Sequence, residues 1–215
     1  MDNRLTLYHS PNTRSSGALL LLDELGADYD LHVLNMKAGE QRQPDYLAVN
    51  PLGKVPAIRH GEALVTEQGA IFIYLADLFP KAGLAPALDD PLRGPYLRWL
   101  VFYGSSFEPA VVDFALKREP GAPGMSPYGD YETVIETVAA QLRRGPYLLG
   151  ERLTAADILW GMALNWTTMF KVVPERPEIM EYIARIRARP ALARVQAIDA
   201  KLAAEHEAAA QAASA

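Results

Sequence analysis

The chain has 215 residues, half of them hydrophobic and 22% charged, an ordinary globular composition long enough for one large domain or two small ones. Its net charge of −5 hides no basic half: residues 1–80 carry six Lys/Arg against ten Asp/Glu and the remainder fifteen against sixteen, which disfavours nucleic-acid binding. The absence of cysteine excludes disulfides, thiolate metal sites, iron–sulfur clusters and a cysteine nucleophile.

Leu5–Tyr8 alternates as a short strand. Ser10-Pro11-Asn12-Thr13 carries turn chemistry and a helix start, and the helix through Ala18–Leu25 stops at Gly26. Tyr29–Leu34 reads as a second strand, and Asn35–Asn50 as a looser stretch holding one short helix. Val55–Arg59 and Ala63–Val65 flank His60-Gly61-Glu62 as a hairpin. Thr66 is placed to cap a helix that runs to Phe79 and ends at Pro80. This β-α-β-α-β-β-α order over residues 1–80 fits an α+β, thioredoxin-like sheet. Residues 81–91, punctuated by Gly83, Pro86 and Pro91, form the linker, and 92–215 read as an all-α domain. Its helices are Leu92–Lys117, Asp130–Arg144, Thr154–Lys171, Glu178–Arg187 and Leu192–Glu207. Pro95 and Pro109 predict a late start and a kink in the first of these, Glu119–Pro127 reads as a loop, and the tail after Glu207 is expected to fray.

No apolar run reaches the roughly 18 residues of a membrane-spanning helix. The opening Met-Asp-Asn-Arg lacks the basic-then-apolar order of a signal peptide, so a cytoplasmic protein without a membrane partner is expected. The four histidines, His9, His32, His60 and His206, show no ligand spacing, and no metal is expected.

Two segments carry the chemistry. Asn50-Pro51-Leu52-Gly53-Lys54-Val55-Pro56 places two prolines and a glycine just before a strand, a shape typical of a cis proline. Such a bond would turn the Val55 N–H and C=O away from the sheet, free to pair with an extended peptide. Twelve residues after Val55, Glu67-Gln68 opens a helix whose N-terminal N–H groups suit a carboxylate, while Glu67 suits an ammonium group. Together they match the two charges of an amino-acid head.

These residues, followed by an all-helical second half, make the chain resemble the cytosolic glutathione S-transferases over about residues 4–205. A third signature, Leu153-Thr154-Ala155-Ala156-Asp157-Ile158, resembles that family's buried sixth helix and reads as a capping box with a hydrophobic staple; Asp157 is structural.

The resemblance implies binding of glutathione as co-substrate, activation of its sulfur as thiolate, attack on a hydrophobic electrophile, and a homodimer. A free thiol titrates near 8.5, so a hydroxyl or amide donor at a helix N-terminus must stabilise the thiolate; two units correspond to about 2.7 kcal/mol. Alignment with serine-type members puts the activating group at Thr13, with Asn12 and Ser10 next and Ser15 and Tyr8 behind them. Cysteine-type members would place their cysteine near Arg14, a departure that leaves the class open. For glutathione, Val55 and Pro56 would meet the cysteinyl unit and Glu67 and Gln68 the γ-glutamyl head. Lys54, with Gln41 or Arg42, would meet the glycyl carboxylate, Lys37 being the fallback. Tyr103 and Phe107 are the candidates for an electrophile pocket between the domains. Two other readings stay open: a glutathione-dependent disulfide reductase or peroxidase, and a non-catalytic binding protein on the same fold.

Overall fold

The computed structural model describes residues 4–119, 121–122 and 124–213. The expected Glu119–Pro127 loop therefore includes two positions, 120 and 123, outside the described residues, as are 1–3 and 214–215. The chain divides into two compact units, one holding residues up to Leu75 together with those from Arg189 onward, the other Ala76–Ala188.

The first unit contains a four-stranded sheet of β1 (Leu5–His9), β2 (Asp30–Val33), β3 (Ala57–His60) and β4 (Ala63–Val65) in the order β2-β1-β3-β4. β2 runs parallel to β1, whereas β3 pairs antiparallel with both β1 and β4. α1 (Ser15–Leu25) makes the crossover that a parallel β1–β2 pair requires. Leu19, Leu20, Leu21 and Leu22 are all fully buried, so α1 is covered on every side. Its outer cover is α9 (Pro190–Ala213), which presents Leu192, Val195 and Asp199 on one stripe and ties itself to α1 by Arg189–Glu24 and Arg194–Asp23 pairs. Gly26 ends α1 as expected, in the left-handed region at φ 63° with its N–H bonded to the Asp23 and Leu22 carbonyls. α3 (Gln68–Leu78) follows β4 and buries Ile71, Phe72 and Leu75.

The stretch after β2 holds the expected short helix as the one-turn α2 (Pro44–Leu47), preceded by a 3-10 turn at Glu40–Arg42; Pro44 lacks an N–H just where a helix start would leave one unpaired. Two expectations are corrected here. The α3 cap position falls on Glu67 instead of Thr66, because the Glu67 carbonyl accepts the first helical bond, from the Ile71 N–H. The Ala-rich tail does not fray at Glu207; α9 continues to Ala213, since alanine is the best helix former and nothing in the segment breaks the ladder.

The second unit is helical throughout. α4 (Arg93–Phe102) passes through a π-helical turn at Tyr103–Phe107 into α5 (Glu108–Ala115). The wider turn lies just before Pro109, whose ring cannot tolerate the carbonyl four residues back, so the expected kink takes this form. α6 (Tyr131–Leu142) is capped by Asp130, which accepts the Thr133 N–H at 2.8 Å. α7 (Ala155–Met169) and α8 (Pro177–Arg187) pack closely at Gly161, where a Cβ would stand 2.4 Å from Ile186. At the start of α7 the buried Asp157 carboxylate accepts the Thr154 N–H and hydroxyl (both 2.8 Å), the Leu148 N–H (2.7 Å) and the Tyr182 hydroxyl (3.0 Å).

Candidate functional site

β1 brings Leu5, Leu7 and His9 to the buried face of the sheet and leaves Thr6 and Tyr8 half-buried on the other. The chain then turns sharply through Asn12, at φ 57°, into α1. Ser10 and Ser15 are buried, Thr13 half-buried and Asn12 exposed. The Thr13 hydroxyl lies 2.7 Å from both the Ser10 carbonyl and the Ser15 Oγ, and it accepts the Ser15 N–H at 3.2 Å. Ser15 Oγ in turn accepts the Ser10 N–H at 3.1 Å and contacts His9 Nδ1 at 2.8 Å. Of the candidates for thiol activation, Thr13 and Asn12 reach the surface and Ser15 does not.

Behind this turn lies a group that the sequence reading missed. His9 Nε2 stands 2.9 Å from Asp199 Oδ1, while Asp199 Oδ2 accepts the Asn12 N–H (3.1 Å) and the Ser16 hydroxyl (2.5 Å). Burial pushes the Asp199 carboxyl up, but the bonds from His9, Ser16 and the Asn12 N–H outweigh it and hold the group below the usual aspartate value. Two signals pointed there. The Leu5-Leu7-His9 alternation puts the histidine inward, and Leu192-Val195-Asp199 puts a carboxylate on the next buried position of a helical stripe.

β3 pairs with β1 so that Ala57 faces Tyr8, bringing the preceding loop to the same end of the sheet as the β1–α1 turn. The Val55–Pro56 peptide is cis. Among the described residues no hydrogen bond engages the Val55 N–H or C=O. Buried Asn50 builds the loop: its amide donates to the Lys54 carbonyl (2.9 Å) and accepts the Leu52 N–H (3.1 Å). Tyr46 donates its hydroxyl to the same carbonyl at 2.6 Å, and burial, with Tyr8 adding to it, pushes that phenol up to about 12. Gly53 has φ 60°, and a Cβ there would sit 2.7 Å from the Gln41 carbonyl, so the 3-10 turn at Glu40–Arg42 closes directly on the motif. Arg42 reinforces this contact through the Leu52 carbonyl at 3.2 Å. Val55 itself packs with Leu34, Tyr46, Val49 and Ala57 against Tyr8 and Met36.

Glu67, exposed and at φ 66°, sits in the left-handed region immediately before α3. Gln68 reaches across to the Arg14 carbonyl (3.4 Å), which ties the start of α3 to the start of α1. Gln68 Oε1 and Gln41 Oε1 are both buried without a hydrogen-bond partner. Lys54 and Lys37 are exposed. Thus Ser10, Asn12, Thr13, Val55, Pro56 and Gln68 gather at one end of the sheet, with Gln41 and Lys54 along the loop that borders it. Tyr103 and Phe107 lie in the helical unit, 4% and 1% exposed, and both pack against Trp160. Neither ring is open to a ligand.

The family model of the glutathione S-transferase N-terminal domain matches residues 3–77, and that of the C-terminal domain matches 130–190. A disulfide-bond oxidoreductase of Escherichia coli K12, YfcG, is 30% identical over 201 residues, covering 87% of this chain and 92% of that one. Among solved structures, a glutathione transferase from Methylococcus capsulatus is 29% identical with a TM-score of 0.77, covering 91% of this chain and 98% of that one. A glutathione transferase homologue from Sulfitobacter, with bound glutathione, is 30% identical with a TM-score of 0.72, covering 90% and 97%.

Proposed function

The chain belongs to the glutathione S-transferase family, and from that premise we propose that it binds glutathione along the sheet end described above and activates its thiol as thiolate for attack on a hydrophobic electrophile. The observation that carries this reading is the Val55 backbone edge, left without hydrogen-bond partners beside the N-terminus of α3. A peptide strand laid there gains two backbone bonds, and its γ-glutamyl carboxylate meets the free N–H groups of the first α3 turn. Glu67 takes the ammonium group, and the unpartnered Gln68 Oε1 gains a donor. Lys54, with Gln41, serves the glycyl carboxylate. The Thr13 hydroxyl, half-buried at the α1 start, is the donor to the sulfur, with Asn12 and Ser10 beside it. Glutathione is a co-substrate here, and the protein works as a homodimer in the cytoplasm.

Titration calorimetry with reduced glutathione, followed by the thiolate absorbance of the complex across pH, tests the reading. Binding with a thiol ionised well below pH 8.5 is the expected result. Thr13→Ala should then raise the thiol pKa with little loss of affinity, and an unchanged pKa and turnover would move the activating role to another residue of the Tyr8–Ser15 stretch. A second reading, glutathione-dependent disulfide reduction without a protein cysteine, is favoured by the Escherichia coli relative named for that activity. Turnover of a mixed disulfide exceeding that of a chlorinated aromatic would select it.

A further inference from the structure

Asp199, His9, Ser15 and Thr13 form one unbroken line of hydrogen bonds from the buried face of α9 to the half-buried α1 start, with steps of 2.9, 2.8 and 2.7 Å. His9 and Ser15 are fully buried, so the line opens outward through Thr13. A carboxylate oxygen can only accept, so His9 Nε2 carries a proton toward Asp199. In a neutral imidazole Nδ1 is then an acceptor and takes the Ser15 hydroxyl proton. Ser15 Oγ keeps two acceptor sites, one for the Ser10 N–H and one for the Thr13 hydroxyl. In this state the Thr13 proton faces Ser15 Oγ instead of the Ser10 carbonyl, which is equally close at 2.7 Å, and the Ser15 proton faces His9 Nδ1 at 2.8 Å instead of the same carbonyl at 3.1 Å.

We propose that His9 is the acceptor for the proton that bound glutathione loses, delivered through Thr13 and Ser15; this rests on the reading that the sulfur lies at Thr13. The thiol donates to Thr13 Oγ1, Thr13 to Ser15 and Ser15 to His9 Nδ1. Moving each proton one step along breaks the S–H bond and forms an Nδ1–H bond, and no proton is gained or lost. The result is a thiolate facing a Thr13 hydroxyl that now points outward, and an imidazolium paired with the Asp199 carboxylate. The other Asp199 oxygen is held by Ser16 and the Asn12 N–H, which keeps the carboxylate an acceptor and fixes its orientation. On the two helices against His9, Glu24 pairs with Arg189, Asp23 with Arg194 and Lys201 with Glu205, while His206 and Glu207 lie about two turns beyond Asp199 along α9. Asp199 is the charged group bonded to the ring. The proton returns by the same hydroxyls once the sulfur is no longer anionic. His9 acts through Ser15 and Thr13, so it is a positioning and proton-holding residue.

The test is nitrogen NMR of the full chain labelled with 15N at histidine, His9 being assigned by the signal lost in His9→Asn. In the free protein at neutral pH, one ring nitrogen of His9 should be protonated and the other an acceptor. Reduced glutathione should protonate both as the thiolate absorbance develops, and S-methylglutathione, which has no thiol proton, should leave the ring neutral. Three results overturn the proposal: thiolate forming with an unchanged ring, the same change with the methylated analogue, or an imidazolium already present without ligand. Failure of both peptides to bind in calorimetry overturns the glutathione reading as well, and so separates the two failures. In His9→Asn, whose amide stands at the position of Nδ1 and keeps a partner for Ser15, affinity for S-methylglutathione should stay within about twofold. The thiolate fraction of bound glutathione should drop about tenfold, one pKa unit. A matched loss of both would mean that His9 only holds the loop.

Discussion

Asp157 and Asp199 are both buried aspartates whose oxygens are filled by hydrogen bonds, yet they are pushed in opposite directions. Asp157 lies deep in the helical unit, and burial raises its carboxyl although four donors lower it. All four are neutral: two backbone N–H groups and the hydroxyls of Thr154 and Tyr182. Asp199 is less deeply placed and counts an imidazole among its donors, and its carboxyl is lowered. Satisfaction alone therefore does not decide how a buried carboxylate behaves; the depth of burial set against the strength and charge of its donors does. Asp157 is a fastening, whose neighbour Tyr182 is driven well above the usual phenol range by the same burial. Asp199 is tied to an imidazole, a hydroxyl and a backbone N–H.

The largest effect expected from breaking this comparison is at Asp157. Asp157→Ala strands four buried donors, and a loss of about 3–5 kcal/mol in urea unfolding is expected, the range for removing one partner from a buried charged network. A loss below about 1 kcal/mol would show that water replaces the carboxylate. Asp199→Asn should cost less, about 1–3 kcal/mol, because the amide still accepts one bond.

The pH dependence separates the two residues by sign. Asp199 stays ionised in the native state after the unfolded chain would protonate it. The stability it contributes is thus present above the ordinary aspartate value of about 3.9 and lost as pH falls through its lower native value. Asp157 has the reverse sign, since ionisation costs the native state: its contribution favours folding in acid and declines as pH rises from the ordinary value through the raised one. Melting midpoints followed from about pH 6 down to about pH 3 should show the gap between wild type and Asp199→Asn closing toward acid. A gap that stays constant would dismiss the ionised Asp199.

Gly53→Ala is expected to cost about 1–3 kcal/mol, from the left-handed backbone and the close Gln41 carbonyl, and to weaken glutathione binding with it. The smallest stability effect has the opposite sign. Glu67→Gly relieves a side-chain-bearing residue at φ 66° and should raise stability by about 0.5–1 kcal/mol, while glutathione affinity falls by about 1–3 kcal/mol. Calorimetric affinity and unfolding midpoints moving together would remove Glu67 from the proposed ammonium site.

Much of this was legible because it is local. Gly26, the Asn50–Pro56 loop, the Thr154–Asp157 pair and the Pro109 kink each follow from the stereochemistry of a few adjacent residues. Thr66 was misplaced by one position because a threonine before a helix reads as its cap, whereas the left-handed conformation of Glu67 has no sequence mark comparable to a glycine. The Asp199–His9 contact was invisible for a different reason. Its partners lie 190 residues apart, and each alone looks like a polar interruption in an apolar pattern. Tyr103 and Phe107 stand on a helix rich in aromatics, and spacing alone does not tell packing against Trp160 from lining a pocket.

The clustering of α9 with the sheet has a consequence for how the molecule is made and cut. During synthesis β1 and α1 leave the ribosome long before the carboxylate that completes their buried polar line, which follows His9 by 190 residues. Until then His9 Nε2, Ser16 and the Asn12 N–H lack their acceptor, and the outer side of α1 lacks its cover. A fragment ending near residue 80 would carry every glutathione-facing motif of the sequence and still present an unfinished turn. The sheet unit closes only when the residues from Arg189 onward have joined those up to Leu75.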